Sequence, residues 1–256
     1  MRVFPLVLAL LLTPSAHAAA DPPLPPLLTG VHRIVTMGDS ITQAGGQPGG
    51  YVTLLGQYLA AVYPSTPIEI VNAGISGHKA TDMQARFDRD VIQAKPDLVT
   101  INVGVNDVWH AFRDFQAHKD YPDGSLPNGV PLPLYREKLE AMITAAEDAG
   151  IKVVLLTPTV IHENLSSPEN QRLAGYIDAM KALGAAHHCP IVDLNAAFTK
   201  AIATYRDLAG PDRNLLTVDG VHMNPAGNQL MAWQILRGLG VPEADLEAAH
   251  LEGVDR

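Results

Sequence analysis

The chain is nearly without cysteine. Cys189 is the single one in 256 residues, so no intrachain disulfide can form and stability must come from the core. It sits between "HH" and the apolar "PIVDL", a setting for a small buried residue and not for a nucleophile. Basic residues are also few: 18 Lys and Arg stand against 27 Asp and Glu, a net charge of −9. No Lys/Arg run or basic stripe appears, which argues against nucleic acid and anionic membrane surfaces as partners. Aromatics make up only 5% of the chain, few for an enzyme that binds at lipid surfaces. There are no internal repeats, and past residue 20 no apolar run is long enough to span a bilayer.

The first twenty residues have their own pattern. Arg2 gives a positive start, Val3 to Leu12 is apolar, and "SAHAAA" at 15–20 offers A-x-A cleavage sites. That is the form of a secretory signal peptide, with an apolar stretch too short for a transmembrane helix. No cysteine directly follows the cleavage sites, which argues against a lipid anchor. The expected mature protein is secreted or periplasmic, soluble, and without membrane anchoring. Residues 21–30, "DPPLPPLLTG", read as a Pro-rich lead-in. Residues 31–256 read as one domain, since a chain with 47% hydrophobic and 18% charged residues can bury a sizeable core.

Within that domain short apolar runs alternate with helical stripes. Strands are expected at 33–38, 68–74, 97–104, 152–158 and 190–194. Between them lie stripes such as Tyr51, Leu54, Leu55, Tyr58, Leu59 and Val62, and Tyr135, Leu139, Met142, Ile143 and Ala146. Gly150 is placed to end one helix, and Asn224 with Pro225 to open another. This alternation predicts an α/β fold with a parallel sheet covered by helices on both faces. In such sheets ligands bind beyond the carboxyl ends of the strands. The loops to inspect are then "GDSIT" (38–42), "NAGISGH" (72–78), "GVNDVW" (104–109) and "TVIHEN" (159–164). Segment 111–134 leaves one of them and reads as a long Pro/Gly-rich loop, a length that in compact domains is usually functional or disordered.

The loop "LTVDGVHMNPAG" (216–227) sets Asp219 three residues before His222. Alone, the pair is two solvated loop residues. Ser40 alone is a turn residue or helix cap, Gly77 alone marks a turn, and Asn106 alone caps a helix. Taken together at strand ends they form a catalytic set. A serine hydroxyl needs a base, which His222 supplies through Nε2 if Asp219 accepts the proton on Nδ1. Acyl-bond cleavage also needs donors for an oxyanion, and the N–H groups of Ser40 and Gly77 with the Asn106 amide provide them. The G-x-S-x-G elbow is absent, because Thr42 stands where its second Gly belongs.

The blocks "GDSIT", "NAGISG", "GVND" and "DGVH" resemble, in order and spacing, those of the SGNH hydrolase (GDSL esterase/lipase) family. The resemblance implies Ser40 as nucleophile, Asp219 and His222 completing a triad, and Ser40, Gly77 and Asn106 as oxyanion hole. It implies a flavodoxin-like three-layer α/β/α sandwich with about five parallel strands, and ester hydrolysis without metal or cofactor. The expected substrate is a small-molecule or polysaccharide ester carrying a short acyl group, acetyl esters on carbohydrate included. An acyltransferase acting on sugar hydroxyls would use the same site. A non-catalytic carbohydrate-binding module is the third reading, disfavoured because it has no need of all five residues.

Trp109 is expected to wall the acyl pocket, stack on a sugar ring, or simply pack in the core. His162 and Glu163 follow the fourth strand and so face the same end of the sheet as Ser40, both as candidate substrate contacts or plain turn residues. His110, His118, Asp114 and Asp120 match no common metal-ligand spacing and read as a solvated loop. "NLS" at 164–166 is a glycosylation pattern, meaningful only in a host that glycosylates exported proteins.

Overall fold

Strands and helices alternate along nearly the whole described chain. The computed structural model describes residues 21–209, 213–249 and 251, so the signal peptide expected at 1–20 lies outside the described residues. Strand β1 (Arg33–Gly38) leads directly into a short helix, α1 (Ser40–Gly45), and α2 (Tyr51–Val62) follows. Next come β2 (Glu69–Gly74), α3 (Ala80–Phe87) with a π-type turn over Asp88–Ile92, and β3 (Leu98–Asn102). Helix α4 (Val105–Phe112) leaves the end of β3, and a small hairpin of β4 (Arg113–Asp114) and β5 (Lys119–Asp120) precedes α5 (Leu132–Asp148). The remainder is β6 (Lys152–Leu156), α6 (Pro168–Ala186), β7 (Ile191–Val192), α7 (Leu194–Ala209), α8 (Pro225–Gly238) and α9 (Glu243–Ala248).

The main sheet is parallel throughout, in the order β2-β1-β3-β6-β7. This is the flavodoxin-like order, with a topological switch between β1 and β3. Both strands are buried almost throughout, which explains their nearly unbroken apolar sequence, whereas edge strand β2 is only partly covered. Helices α2, α7, α8 and α9 form one outer layer, and α3, α4, α5 and α6 the other. The expected stripes face inward, with Tyr51, Leu55 and Leu59 of α2 and Tyr135, Leu139 and Met142 of α5 all in the core. Gly150, in the left-handed region, donates to Glu147 O just past α5. Asn224 caps α8, accepting from Gly227 N–H at 3.0 Å.

Two expectations need correction. Segment 111–134 is not one loop: its first residues finish α4, its middle folds into the β4–β5 hairpin, and its last three begin α5. With strands of two residues each and only Phe115 as a large apolar side chain, the hairpin offers no periodicity to detect. The strand expected at 190–194 is only two residues long. Asp193 ends it, accepting from Thr157 Oγ1 at 3.0 Å and Ala196 N–H at 3.1 Å, and so turns the chain into α7. That helix, with α1, α4 and α9, has no counterpart in the sequence reading. Among the described residues no helix is long and apolar enough to cross a membrane.

Candidate active site

Ser40 stands at the carboxyl end of β1 because the chain turns straight from strand into helix there. Asp39 makes that turn, capping α1 by accepting from Ile41 N–H at 2.9 Å. Ser40 is the first residue of α1, where backbone N–H groups have no helical partner. His222 approaches from 182 residues away in sequence and places Nε2 at 2.8 Å from Ser40 Oγ. Its Nδ1 meets Asp219 Oδ2 at 2.6 Å. The other carboxylate oxygen of Asp219 accepts from the N–H groups of Val221 at 3.0 Å and His222 at 2.8 Å. Partial burial raises the Asp219 pKa, but the bonds from His222 and Val221 outweigh it and hold the group below its ordinary 3.8.

The loop itself is a small hairpin. Thr217 bridges Met223, and Val218 N–H donates to His222 O at 2.8 Å. Gly220 sits at its tip with φ +99, and a side chain there would start 2.6 Å from His162 Nδ1. Both the left-handed backbone and the close approach to His162 require glycine.

The expected oxyanion donors gather beside Ser40. Gly77 occupies the third position of a turn closed by His78 N–H on Ile75 O at 3.3 Å, and its φ of +77 accounts for the glycine. This turn is tied to α1 through Ser76 N–H, which donates to Gln43 Oε1 at 2.7 Å. Asn106 lies buried in the first turn of α4 and donates through Nδ2 to His78 O at 3.1 Å. A second, long contact of 3.5 Å runs from the same nitrogen to Asp39 Oδ2. The N–H groups of Ser40 and Gly77 find no acceptor among the described residues.

These residues line a hollow of about 630 Å³, and both further candidates, Trp109 and His162, line it too. The Trp109 ring meets His162 edge-on at 6.0 Å and Phe115 edge-on at 4.8 Å. Phe115, from the tip of the small hairpin, is one of several lining residues that sequence reasoning missed, with Ser76, His110 and Arg113. Arg113 lies 5.7 Å over the Phe115 ring and pairs with Asp120 at 2.6 Å. Of the four residues read as a solvated loop, His110 instead lies in α4 and lines the hollow. Asp114 accepts from the N–H groups of Gln116 and Ala117, both at 2.9 Å, and burial with nearby Lys79 lowers the His110 pKa to about 4.

Three buried charged residues beneath the site also escaped the sequence reading. Burial raises the Asp39 carboxyl to about 6, partly offset by the Ile41 N–H and by His222. Asp107 is 1% exposed, and burial raises it to about 7. Its Oδ1 accepts from Ala80 N–H at 2.9 Å, while Oδ2 has no partner among the described residues. Arg86 joins the strand ends, donating to Gly38 O at 2.9 Å, Ala73 O at 2.8 Å, His78 Nδ1 at 2.9 Å and Asp90 Oδ2 at 2.8 Å.

All four sequence blocks lie in the span 36–230, which matches the model of the "GDSL-like Lipase/Acylhydrolase family". The chain belongs to that family. Among its members, the acetylxylan esterase of Geobacillus stearothermophilus is 32% identical over 219 residues, covering 81% of this chain and 94% of that protein. The isoamyl acetate-hydrolyzing esterase 1 homolog of Rattus norvegicus is 25% identical over 223 residues, 79% of each chain. The crystal structure of the acetyl xylan esterase AlAXEase superposes with a TM-score of 0.70 at 31% identity, covering 80% of this chain and 98% of that one. The shared fold is the α/β sandwich with its five-stranded parallel sheet.

Proposed function

We propose that the protein is an exported serine esterase that removes short acyl groups, acetyl in the first place, from carbohydrate esters. The observation that carries the reading is the line from Ser40 Oγ to His222 Nε2 at 2.8 Å and from His222 Nδ1 to Asp219 at 2.6 Å. Ser40 Oγ attacks the ester carbonyl as His222 Nε2 takes its proton. Asp219 holds the imidazole by Nδ1 and stabilises the imidazolium that forms. The tetrahedral oxyanion receives the N–H groups of Ser40 and Gly77 and one N–H of Asn106. The 3.5 Å contact from Asn106 to Asp39 is the weaker of its two, and the one exchanged for the oxyanion. His222 then protonates the departing alkoxide. Water, deprotonated by the same nitrogen, attacks the acyl-Ser40 and releases the acid.

Substrate class rests on two supports. The relatives' names share an acetyl group, on xylan in one case and on isoamyl alcohol in the other, while the alcohol differs. In this chain Trp109 and Phe115 present aromatic surface beside Ser40, which suits the apolar face of a sugar ring on the alcohol side. The signal pattern at 1–20 supports export to where plant or microbial polysaccharide is met.

The test is release of 4-nitrophenol from 4-nitrophenyl acetate, and of acetate from acetylated xylan, by residues 21–256 and by the Ser40→Ala variant. Turnover of both substrates by the parent alone is expected. Activity that survives in the variant would move the nucleophile elsewhere.

A further inference from the structure

We propose that Glu163 is a positioning residue for the acid–base loop, its buried carboxylate setting the reach of His222 to Ser40. This rests on the serine-esterase reading above. Glu163 follows β6, where a strand-end residue is expected to face substrate, yet its side chain is only 1% exposed and turns away from the hollow. It turns to the chain that carries Asp219 and His222. Its Oε2 accepts from Leu215 N–H at 2.6 Å. Its Oε1 accepts from Leu216 N–H at 2.7 Å and from Thr217 N–H and Oγ1, both at 2.9 Å. Three successive backbone donors and a hydroxyl thus converge on one carboxylate. Arg206 Nη2 lies 3.8 Å from Oε2 and supplies the counter-charge.

The contact is relayed to the triad. The Thr217 hydroxyl that donates to Glu163 also accepts from Gly220 N–H at 3.1 Å, between Asp219 and His222. Thr217 is paired across the hairpin with Met223, so both limbs of the loop are referred to the same carboxylate. Glu163 is itself fixed from the other side. Asn170, in the first turn of α6, accepts from Ile161 N–H at 2.9 Å and donates to the carbonyls of Ile161, His162 and Asn164 at 2.8, 3.1 and 2.9 Å. Hydrogen bonds from α6 thus hold the backbone on either side of Glu163, and those of Glu163 and Thr217 hold the backbone that carries His222.

Packing alone does not fix this loop. Its apolar anchors are the buried Leu216 and Val221 and the partly buried Leu215 and Met223, whereas Val218 is 67% exposed and the Asp219 and His222 side chains are 47% and 32% exposed. Apolar contact is non-directional, so these anchors hold the loop down without setting its tilt. Hydrogen bonds to a rigid carboxylate set tilt, and a misplacement of about 1 Å at a catalytic group can cost on the order of 100-fold in rate.

The experiment compares Glu163→Gln, Thr217→Val and Thr217→Ser with the parent enzyme. Each is labelled to completion with a fluorophosphonate to count reactive Ser40, and 4-nitrophenyl acetate turnover is expressed per labelled site. Glu163→Gln leaves one acceptor and aims an amide donor at Leu215 N–H, and Thr217→Val removes the relay at constant size. For both, kcat per labelled site is expected to fall roughly 10- to 100-fold with KM within about twofold, and Thr217→Ser is expected to recover. Should Glu163→Gln fail to fold, the Thr217 pair carries the test. Turnover per labelled site within twofold of the parent in the folded variants, with loss only in the labelled fraction, would overturn the inference alone. A parent protein neither labelled nor active would overturn the esterase reading and this inference with it.

Discussion

Replacing Asp107 by Asn should make stability less sensitive to pH as it rises from 5 to 7. The carboxyl is 1% exposed, uses Oδ1 to accept from Ala80 N–H, and leaves Oδ2 without a partner. Burial raises its pKa from 3.8 to about 7 in the folded protein. The proton is thus held more tightly folded than unfolded. Its stabilising contribution is complete below the unfolded pKa and is lost as pH rises through the folded one. Between pH 5 and pH 8 that loss spans two pH units before levelling near 7, on the order of 3 kcal/mol. Asn keeps the bond to Ala80 at the same size and carries no charge to desolvate, so this slope should vanish. Its amide also meets no acceptor, a constant cost of about 1–3 kcal/mol that is independent of pH. Urea unfolding of both proteins at pH 5 and pH 8 measures the change. The stability difference should move in favour of Asp107→Asn by nearly the full amount as pH rises. A difference that stays level across that range would mean Asp107 is ionised in the fold at pH 5, or finds a partner for Oδ2, and would refute the argument.

Asn106→Ala removes one oxyanion donor and should lower kcat about 100- to 1,000-fold with little change in KM, read from steady-state kinetics on 4-nitrophenyl acetate. The value of kcat/KM should fall towards acid pH, because protonated His222 cannot accept the Ser40 proton while Asp219, held below 3.8, stays ionised. A profile flat from pH 5 to 8 would contradict that assignment. Phe115→Ala strips the exposed ring from the wall beside Trp109 and should raise KM for acetylated xylan several-fold more than for 4-nitrophenyl acetate. Equal effects on the two substrates would detach the hairpin from carbohydrate binding.

Much of the site was legible because its residues are chemically unusual where they stand. Ser40, Gly77 and Asn106 each follow an apolar run that can only be a strand, and a parallel sheet puts all such ends on one side. Asp219 and His222 lie three apart, close enough for a loop to pair them without help from elsewhere. The supporting residues carry no such signal. Glu163 meets Leu216 and Thr217 across more than fifty positions, and Arg86 meets Gly38 across 48. Nothing local marks Arg86 as more than a surface charge, and the strand end before Glu163 points to substrate contact and not to the loop. Phe115 was hidden for a related reason: a hairpin of two-residue strands is too short for periodicity, so the segment reads as loop and its apolar tip as incidental.

By itself, then, the sequence determined the alternation of strand and helix, and with it a parallel α/β sheet whose chemistry gathers at one end. The short apolar runs of buried strands and the 3.6-residue stripes of helices that reveal those elements are written into neighbouring residues. Only the tertiary structure decided that His222 comes to 2.8 Å of Ser40, that Glu163 serves the loop and not the hollow, and that Asp107 is buried with one oxygen unpaired. Those facts depend on how separate elements pack, and packing sets distances between residues that no local pattern relates.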